Sequence, residues 1–385
     1  MIQRAIADRV RELAKTFPVV TIEGPRQSGK TTLARMVFPD YAYANLEDTS
    51  TRALAEQDPR GFLEKYPAPA IIDEIQRVPA LLGDLQVEVD RLGGNGLYIL
   101  TGSHQPQLKA GIAQSLAGRT ALVTLLPLSI AELKGAGVEL TRDEYMFRGF
   151  LPAVYDRAQN PSDAYEAYYR TYVERDVRQL IQLTHQGAFE LFLRLLAGRV
   201  GQVANLDGLS GEVGVSGTTL KEWLSVLEAS FVIFRLQPYY NNFGKRFVKS
   251  PKIYFTEVGL AAHLLGLDSA EQVGRDPLLG GLFENMVVLE VLKACHNSGR
   301  GGRLYYMRDK RGVEVDLVLE RQRKLLFAEI KSAMTPHEEM AKNTRAMRRA
   351  TGEGENAVVI YNGEPWPLPG CDGFIPFQDA GTIVG

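Results

Sequence analysis

The chain is poor in cysteine, with only Cys295 and Cys371 among 385 residues. Two cysteines cannot build a disulfide framework, and their spacing matches no zinc motif. An excess of one charge is missing too. The 44 basic and 46 acidic side chains leave a formal net charge of −2, and both signs are interspersed along the chain. Any nucleic-acid contact must come from local patches rather than bulk attraction. No stretch approaches the roughly 20 apolar residues of a membrane span. The opening MIQRAIADRVRELAKTFPVV mixes charges into a helical pattern and has no signal-peptide apolar core. A soluble, cytoplasmic protein with no membrane partner is expected. At 45% hydrophobic and 23% charged residues the composition is globular. The length allows two or three domains of roughly 100–200 residues each.

From residue 18 to about 130 the pattern alternates apolar strands with helical segments. PVVTIEG leads through a glycine-rich turn into the helix KTTLARMVF, and APAIIDEIQRV, GLYILTGSH and TALVTLLPLS supply further strands. This alternation predicts a parallel sheet with helices on both faces. Residues 131–200 read as mainly helical, 201–236 as two short helices and a strand, and 237–255 as irregular and basic. From about residue 280 a long helix, LFENMVVLEVLKACHN, precedes the strands RLYYMRD, GVEVDLVLE, KLLFAEIKS and AVVIYNG. The tail after Pro365 is rich in proline and glycine and reads as loop.

GPRQSGKT, residues 24–31, fits G-x-x-x-x-G-K-[ST] in the strand–turn–helix context that this motif needs. Gly24 and Gly29 let backbone amides converge on phosphate oxygens at a helix N-terminus. Lys30 is placed to contact the β- and γ-phosphates of ATP and Thr31 to hold Mg²⁺. The candidate nucleotide-binding set is Gly24, Pro25, Arg26, Gln27, Ser28, Gly29, Lys30, Thr31 and Thr32, with Asp73 and Ser103. Asp73 and Glu74 end the apolar strand AIIDE. Asp73 suits Mg²⁺ through water, and Glu74 suits orientation of the attacking water. Thr101 and Ser103 end YILTGSH, where they either sense the γ-phosphate or cap the next helix. Arg119, in SLAGRT, stands where an arginine can reach a neighbouring subunit's nucleotide; its plain alternative is a surface ion pair.

The ordered set GPRQSGKTTLAR, IIDEIQRVP, LTGSH, SLAGRTALVTLLPLS and ERDV, then SPKIYFTEVGLAAHLLG, LFENMVVLEVLK, YYMRDKRGVEVDLVLE and FAEIKSA, resembles the AAA+ ATPases fused to a C-terminal restriction-endonuclease-like domain. The resemblance spans about residues 3–362. It implies an α/β chain: a P-loop NTPase (AAA+) parallel sheet over 1–135, a helical lid over 136–200, a winged helix-turn-helix over 201–275, and a restriction-endonuclease-like α/β domain over 276–385. Two departures stand out. Arg148 replaces the first of two glycines usual before Phe150, which bears on the lid. Glu257 stands in TEVGL, where relatives carry aspartate.

In the middle segment one helix is expected to run to about Val213, with a turn at Gly214 and Ser216 and a second helix from near Thr218. Leu220, Trp223, Leu224 and Leu227 fall on one apolar face, with Thr219 and Lys221 toward solvent. Lys245, Arg246, Lys249 and Lys252 form a basic cluster near a wing, where they either contact DNA phosphates or are merely solvated. Winged helices also serve as protein connectors.

Glu329 and Lys331 share one face of a strand. Asp316 joins them if two strands pair as a hairpin around RQRK, residues 321–324. This is the D…E-x-K pattern of the restriction-endonuclease-like fold, in which two carboxylates and a backbone carbonyl hold Mg²⁺ and the lysine positions the attacking water or stabilises charge. Glu284, on the preceding helix, adds a candidate outer ligand. Buried acids are costly unless paired or metal-bound, and a pair of Glu329 with Lys331 or Arg308 would meet the same cost. The metal-ligand candidates are thus Thr31, Asp73, Glu284, Asp316 and Glu329; the catalytic candidates are Lys30, Glu74, Arg119, Asp316, Glu329 and Lys331.

The leading expectation is an ATP-hydrolysing AAA+ motor with ATP and Mg²⁺ as cofactors. It would assemble as a homo-oligomeric ring, a hexamer by resemblance, and process branched or duplex DNA by translocation, junction remodelling or Mg²⁺-dependent cleavage. The alternatives are a nucleotide-switched ATPase that recruits a protein partner, with an inactive nuclease-like domain, and a Mg²⁺ nuclease merely gated by its ATPase.

Overall fold

The structure, a computed structural model, describes residues 1–103, 111–112, 114–177, 186–239, 250–299, 303–352, 356–367 and 373–385. The chain divides into two compact units. One comprises Met1–Leu128 with Ala229–Phe231 and His296–Gly299; the other comprises Ser129–Glu228, Val232–Cys295 and Arg300–Gly385. Among the described residues no helix is long and apolar enough to cross a membrane.

The first unit is built on five strands: β1 (Val19–Gly24), β2 (Ala42–Asn45), β3 (Ala70–Asp73), β4 (Tyr98–Ser103) and β5 (Thr120–Thr124). They form a parallel sheet in the order β2-β3-β4-β1-β5. Successive side chains point to opposite faces, so neighbours divide between two cores. Val19, Ile72 and Leu100 pack in one, and Val20, Ile71 and Ile99 in the other. The helices Thr49–Gln57, Pro59–Lys65 and Leu81–Leu92 contribute to the first core, and Ala7–Thr16 and Lys30–Val37 to the second. Burial on both faces explains why these strands read as unbroken apolar runs. Because every strand runs the same way, Gly24, Asp73 and Ser103 end at one edge, where ligands of open α/β sheets sit.

In the second unit the helix Ile130–Gly135 comes first, and the described part of residues 136–200 is mainly helical, including Arg142–Arg148, Pro161–Tyr168 and Gln186–Ala197. The helices Leu206–Val213 and Gly217–Ala229 follow, with Gly214 in the left-handed region (φ +77°) ending the first. Leu220, Trp223, Leu224 and Leu227 are all buried, and Lys221 is exposed.

The strands β6 (Ile233–Pro238) and β7 (Lys252–Phe255) pair antiparallel. β6 also pairs with β8 (Arg303–Arg308). One seven-stranded sheet results, ordered β12-β11-β10-β9-β8-β6-β7, with β9 (Glu314–Arg321), β10 (Lys324–Lys331), β11 (Asn356–Tyr361) and β12 (Gly373–Pro376). The strands that follow the helix pair therefore share a sheet with the C-terminal strands. β9 and β10 form the expected hairpin, Arg321 opposite Lys324. Gln322 and Arg323 both have positive φ, as a two-residue turn of right-twisted strands requires. From residue 373 on, the tail holds regular structure that its composition does not predict: β12 leads into a 3₁₀ segment, Phe377–Val384, anchored by buried Phe377, Ala380 and Val384.

Candidate functional site

β1 delivers the chain to a glycine that nothing else could replace. Gly24 has φ +153°, and a Cβ there would lie 2.2 Å from the carbonyl oxygen of Leu125. Gly29 then adopts φ +91° immediately before the helix Lys30–Val37, whose first amides have no intrahelical partner and favour an anion. Lys30 is buried, and its Nζ donates to the carbonyls of Gly24 at 3.2 Å and Pro25 at 2.8 Å. Burial lowers its pKa to about 8, against the opposing pull of Glu74 and Asp73. The hydroxyl of Ser28 is buried without a partner. Pro25 is buried, Arg26 half-buried, and Gln27 and Thr32 exposed. Arg4 clamps the loop from behind: its guanidinium donates to Ser28 O at 2.7 Å and to Leu126 O at 2.6 Å.

Asp73 is the hub of the opposite wall. Thr31 Oγ1 donates to it at 2.8 and 3.0 Å, the Tyr43 hydroxyl at 2.8 Å, and Thr101 Oγ1 by a short hydrogen bond. Glu74 follows in the left-handed region, φ 60° and ψ 45°. This kink leaves the Glu74 carboxylate beside Lys30 and Asp73 although Asp73 and Glu74 are adjacent in the chain; a non-glycine residue in this region is strained. Burial holds the Glu74 carboxyl above its usual range, with Lys30 opposing. Gln76 Nε2 donates to Glu74 and, at 2.9 Å, to Ser103 Oγ. Thr101 and Ser103 thus face the two acids. The Thr31 hydroxyl and Asp73 carboxylate are hard oxygen donors, side by side beneath the loop, and they fit a nucleotide's Mg²⁺.

Arg119 is elsewhere. β1 and β5 are in register with Val19 opposite Thr120, so Arg119 stands where the strands begin. That is roughly 20 Å along β1 from Gly24 at about 3.3 Å per residue. Its guanidinium makes a two-pronged pair with Asp90 at 2.6 and 2.8 Å. It does not join its own chain's phosphate site.

In the second unit the hairpin brings Asp316, Glu329 and Lys331 together, and Glu284 from the helix Leu279–Ser298 joins them. Lys331 Nζ lies 2.7 Å from Glu329 Oε1 and 3.6 Å from Asp316 Oδ2. Asp316 Oδ2 also accepts the Ile330 amide at 2.8 Å. Arg308 pairs with Glu314 at 3.3 Å. Burial, reinforced by Asp316, pushes the Glu329 carboxyl up to about 8, and burial raises Glu284 to about 7. Among the described residues no group of three or more His, Cys, Asp or Glu side chains is arranged to hold a metal ion.

Lys252 corrects an expectation. Of the four basic residues assigned to the wing, Lys245, Arg246 and Lys249 lie outside the described residues. Lys252 does not face solvent: its side chain is 1% exposed, with Nζ 2.8 Å from Glu284 and 2.5 Å from Glu314. Burial alone would lower its pKa, but Glu284, Asp316 and Glu314 hold it above the usual lysine value. A buried, paired ammonium cannot serve as a DNA-phosphate contact.

Comparison with known proteins agrees with the first unit's geometry. Residues 16–134 match an AAA domain model, while 140–271 and 279–376 match two domains of unknown function, DUF8612 and DUF4143. Uncharacterized proteins of Mycobacterium bovis and Mycobacterium tuberculosis are 33% identical over 369 residues, covering 94% of this chain and 80% of theirs. The chain belongs to the same family as these mycobacterial proteins. Its N-terminal region is a P-loop ATPase of the AAA type. Among solved structures, a Walker-type ATPase of Pyrococcus abyssi covers 69% of this chain and 96% of its own, at 14% identity and a TM-score of 0.42; that similarity is too slight to carry an argument.

Five residues of these sites escaped sequence reasoning: Arg4, Tyr43 and Gln76 in the first unit, and Glu314 and Lys252 as members of the acidic cluster. For Gln76 a signal was present, a polar residue two positions after Glu74 in DEIQR. For the others the partners are distant in sequence.

Proposed function

We propose that this family member couples ATP hydrolysis to work on DNA. The observation that carries the reading is the convergence of Lys30, Thr31, Asp73 and Glu74 at one sheet edge. Lys30, released from the carbonyls of Gly24 and Pro25, transfers its ammonium to the phosphates. Mg²⁺, which Thr31 and Asp73 would hold, supplies charge that offsets the phosphate oxygens. Glu74, oriented by Gln76, positions the attacking water and takes up its proton. Arg119 reaches a neighbouring chain's nucleotide in a homo-oligomeric ring. The helix pair Leu206–Val213 and Gly217–Ala229, with exposed Lys221 on the second helix, supports the DNA half of the reading, since such a pair places its second helix in the major groove.

The test is phosphate release with and without linear and four-way DNA, beside DNA binding by fluorescence anisotropy. DNA-stimulated turnover is expected. Turnover indifferent to DNA, with no binding, removes the DNA half and leaves the ATPase.

A second reading, a nucleotide-switched ATPase that recruits a protein, is favoured by two observations. Lys252 is lost to the basic cluster. An open cleft of about 1230 Å³ in the second unit is lined by Tyr145, Tyr361 and Phe377, with Met334 and Trp366 71% and 56% exposed. Apolar exposure of this kind marks interaction surfaces. Slow turnover unaffected by DNA, with a partner bound only in one nucleotide state, would select it.

A further inference from the structure

We propose that Lys252 is the resident cation of the acidic cluster in the C-terminal sheet, and that this centre takes no divalent ion while Lys252 is in place. The inference is independent of the ATP-driven reading, because all its residues lie in the second unit. Four carboxylates meet there, from Glu284, Glu314, Asp316 and Glu329. Each already has an ammonium within 4 Å: Lys252 Nζ lies 2.8 Å from Glu284, 2.5 Å from Glu314 and 3.9 Å from Asp316, and Lys331 Nζ lies 2.7 Å from Glu329.

The two closest Lys252 contacts fall where an ion's own would. A divalent ion binds carboxylate oxygens at roughly 2.0–2.6 Å, so an ion between Glu284 and Glu314 and the Lys252 ammonium exclude one another. Glu284 Oε1 accepts the Tyr254 hydroxyl at 2.5 Å as well as Lys252, and Asp316 Oδ2 accepts the Ile330 amide; Glu329 Oε2 alone among these carboxylate oxygens is buried without a hydrogen-bond partner.

Lys252 has little freedom to leave. Its backbone pairs with Leu236 in β6 and bridges to Val203, its side chain is 1% exposed, and its Nζ sits 5.5 Å from the centre of the Tyr306 ring. Displacing it would strand a buried ammonium without its counter-charges, a penalty that an incoming ion must overcome. Lys252, from outside the D…E-x-K pattern, therefore holds the Glu284, Glu314 and Asp316 side of the centre, and Lys331 holds Glu329. The ion-dependent hydrolysis suggested by the pattern is not available to the centre in this state. It serves instead as an ion-paired knot joining β7, β9, β10 and the helix Leu279–Ser298.

Calorimetric titration of the nucleotide-free full chain with Mn²⁺ tests this, comparing wild type, Asp316→Asn and Lys252→Met. Subtracting Asp316→Asn isolates the cluster from the phosphate site. The expected result is no difference between wild type and Asp316→Asn, and a new Mn²⁺ site in Lys252→Met whose melting temperature rises with added ion. A wild-type Mn²⁺ site that Asp316→Asn abolishes overturns the proposal. So does a folded Lys252→Met that gains no site. If Lys252→Met does not fold, the wild type against Asp316→Asn still decides whether the native centre takes the ion.

Discussion

Thr31 Oγ1 donates to both carboxylate oxygens of Asp73, at 2.8 and 3.0 Å, across 42 residues of sequence. The pair joins the first turn after the phosphate loop to the end of β3, and Tyr43 and Thr101 complete Asp73's hydrogen bonds. The carboxylate is thereby held in one orientation before any ion arrives. Asp73→Asn keeps the shape but weakens the charge. It should lower ATP turnover roughly 10–100-fold, the usual effect of losing a group that orients a metal shell, with little change in melting temperature. Chelation of Mg²⁺ should abolish wild-type turnover. Undiminished turnover in Asp73→Asn would take this pair out of the mechanism.

Lys30 predicts a pH dependence of nucleotide affinity. Burial depresses its pKa from 10.5 to about 8, and the ammonium is the form that phosphate binds. As pH rises through 8 the free protein loses that form. ATP affinity should fall above pH 8, by up to about tenfold per unit. Folding stability moves the other way: between pH 8 and 10.5 the unfolded chain binds the extra proton, so this group's contribution to stability rises with pH. Binding of a fluorescent ATP analogue across pH 7–10 checks the first sign, and thermal melts check the second. A flat binding profile would mean that Lys30 is fully charged in the free protein.

Some of this was legible in the sequence for a physical reason. The phosphate loop is local: each glycine answers a backbone demand within eight residues, and Gly24 has no room for a side chain. The helix face of Leu220, Trp223, Leu224 and Leu227 was legible because its spacing alone sets the buried side. Lys252 was not. In KIYF all four residues of β7 are buried, so no alternation marks which way the lysine points, and its partner Glu284 is 32 residues away. Tyr43 reaches Asp73 only because β2 pairs with β3, with Asn45 opposite Asp73. A single strand read alone carries no trace of that neighbour.

Arg119 and Asp90 give a prediction about assembly. Their pair is partly exposed, and surface pairs of this kind add little to stability, so Asp90→Ala should leave the melting temperature nearly unchanged. If Arg119 acts on a neighbouring chain's nucleotide, Arg119→Ala should cut turnover by about 10³–10⁵ while ATP still binds. Mixing Arg119→Ala with Lys30→Ala should then restore activity, because an intact Arg119 from one chain meets an intact Lys30 from the other. Mixtures as inactive as their components would confine Arg119 to its ion pair.

Trp223 and Lys221 sit two residues apart on one helix and should separate folding from DNA contact. Trp223 is buried against Phe189 and Phe192, with ring centres 5.4 and 5.5 Å away. Trp223→Ala should cost about 3–5 kcal/mol of stability and release the helix pair. Lys221 is exposed, and its loss touches no core. If the second helix lies against DNA, Lys221→Ala should keep the wild-type melting temperature, weaken DNA binding across sequences, and reduce the salt slope by about 1. Anisotropy titrations at several salt concentrations read that slope directly. An unchanged slope, in a variant that melts like the wild type, would show that this helix face does not touch phosphate and would shift the weight to the protein-recruiting reading.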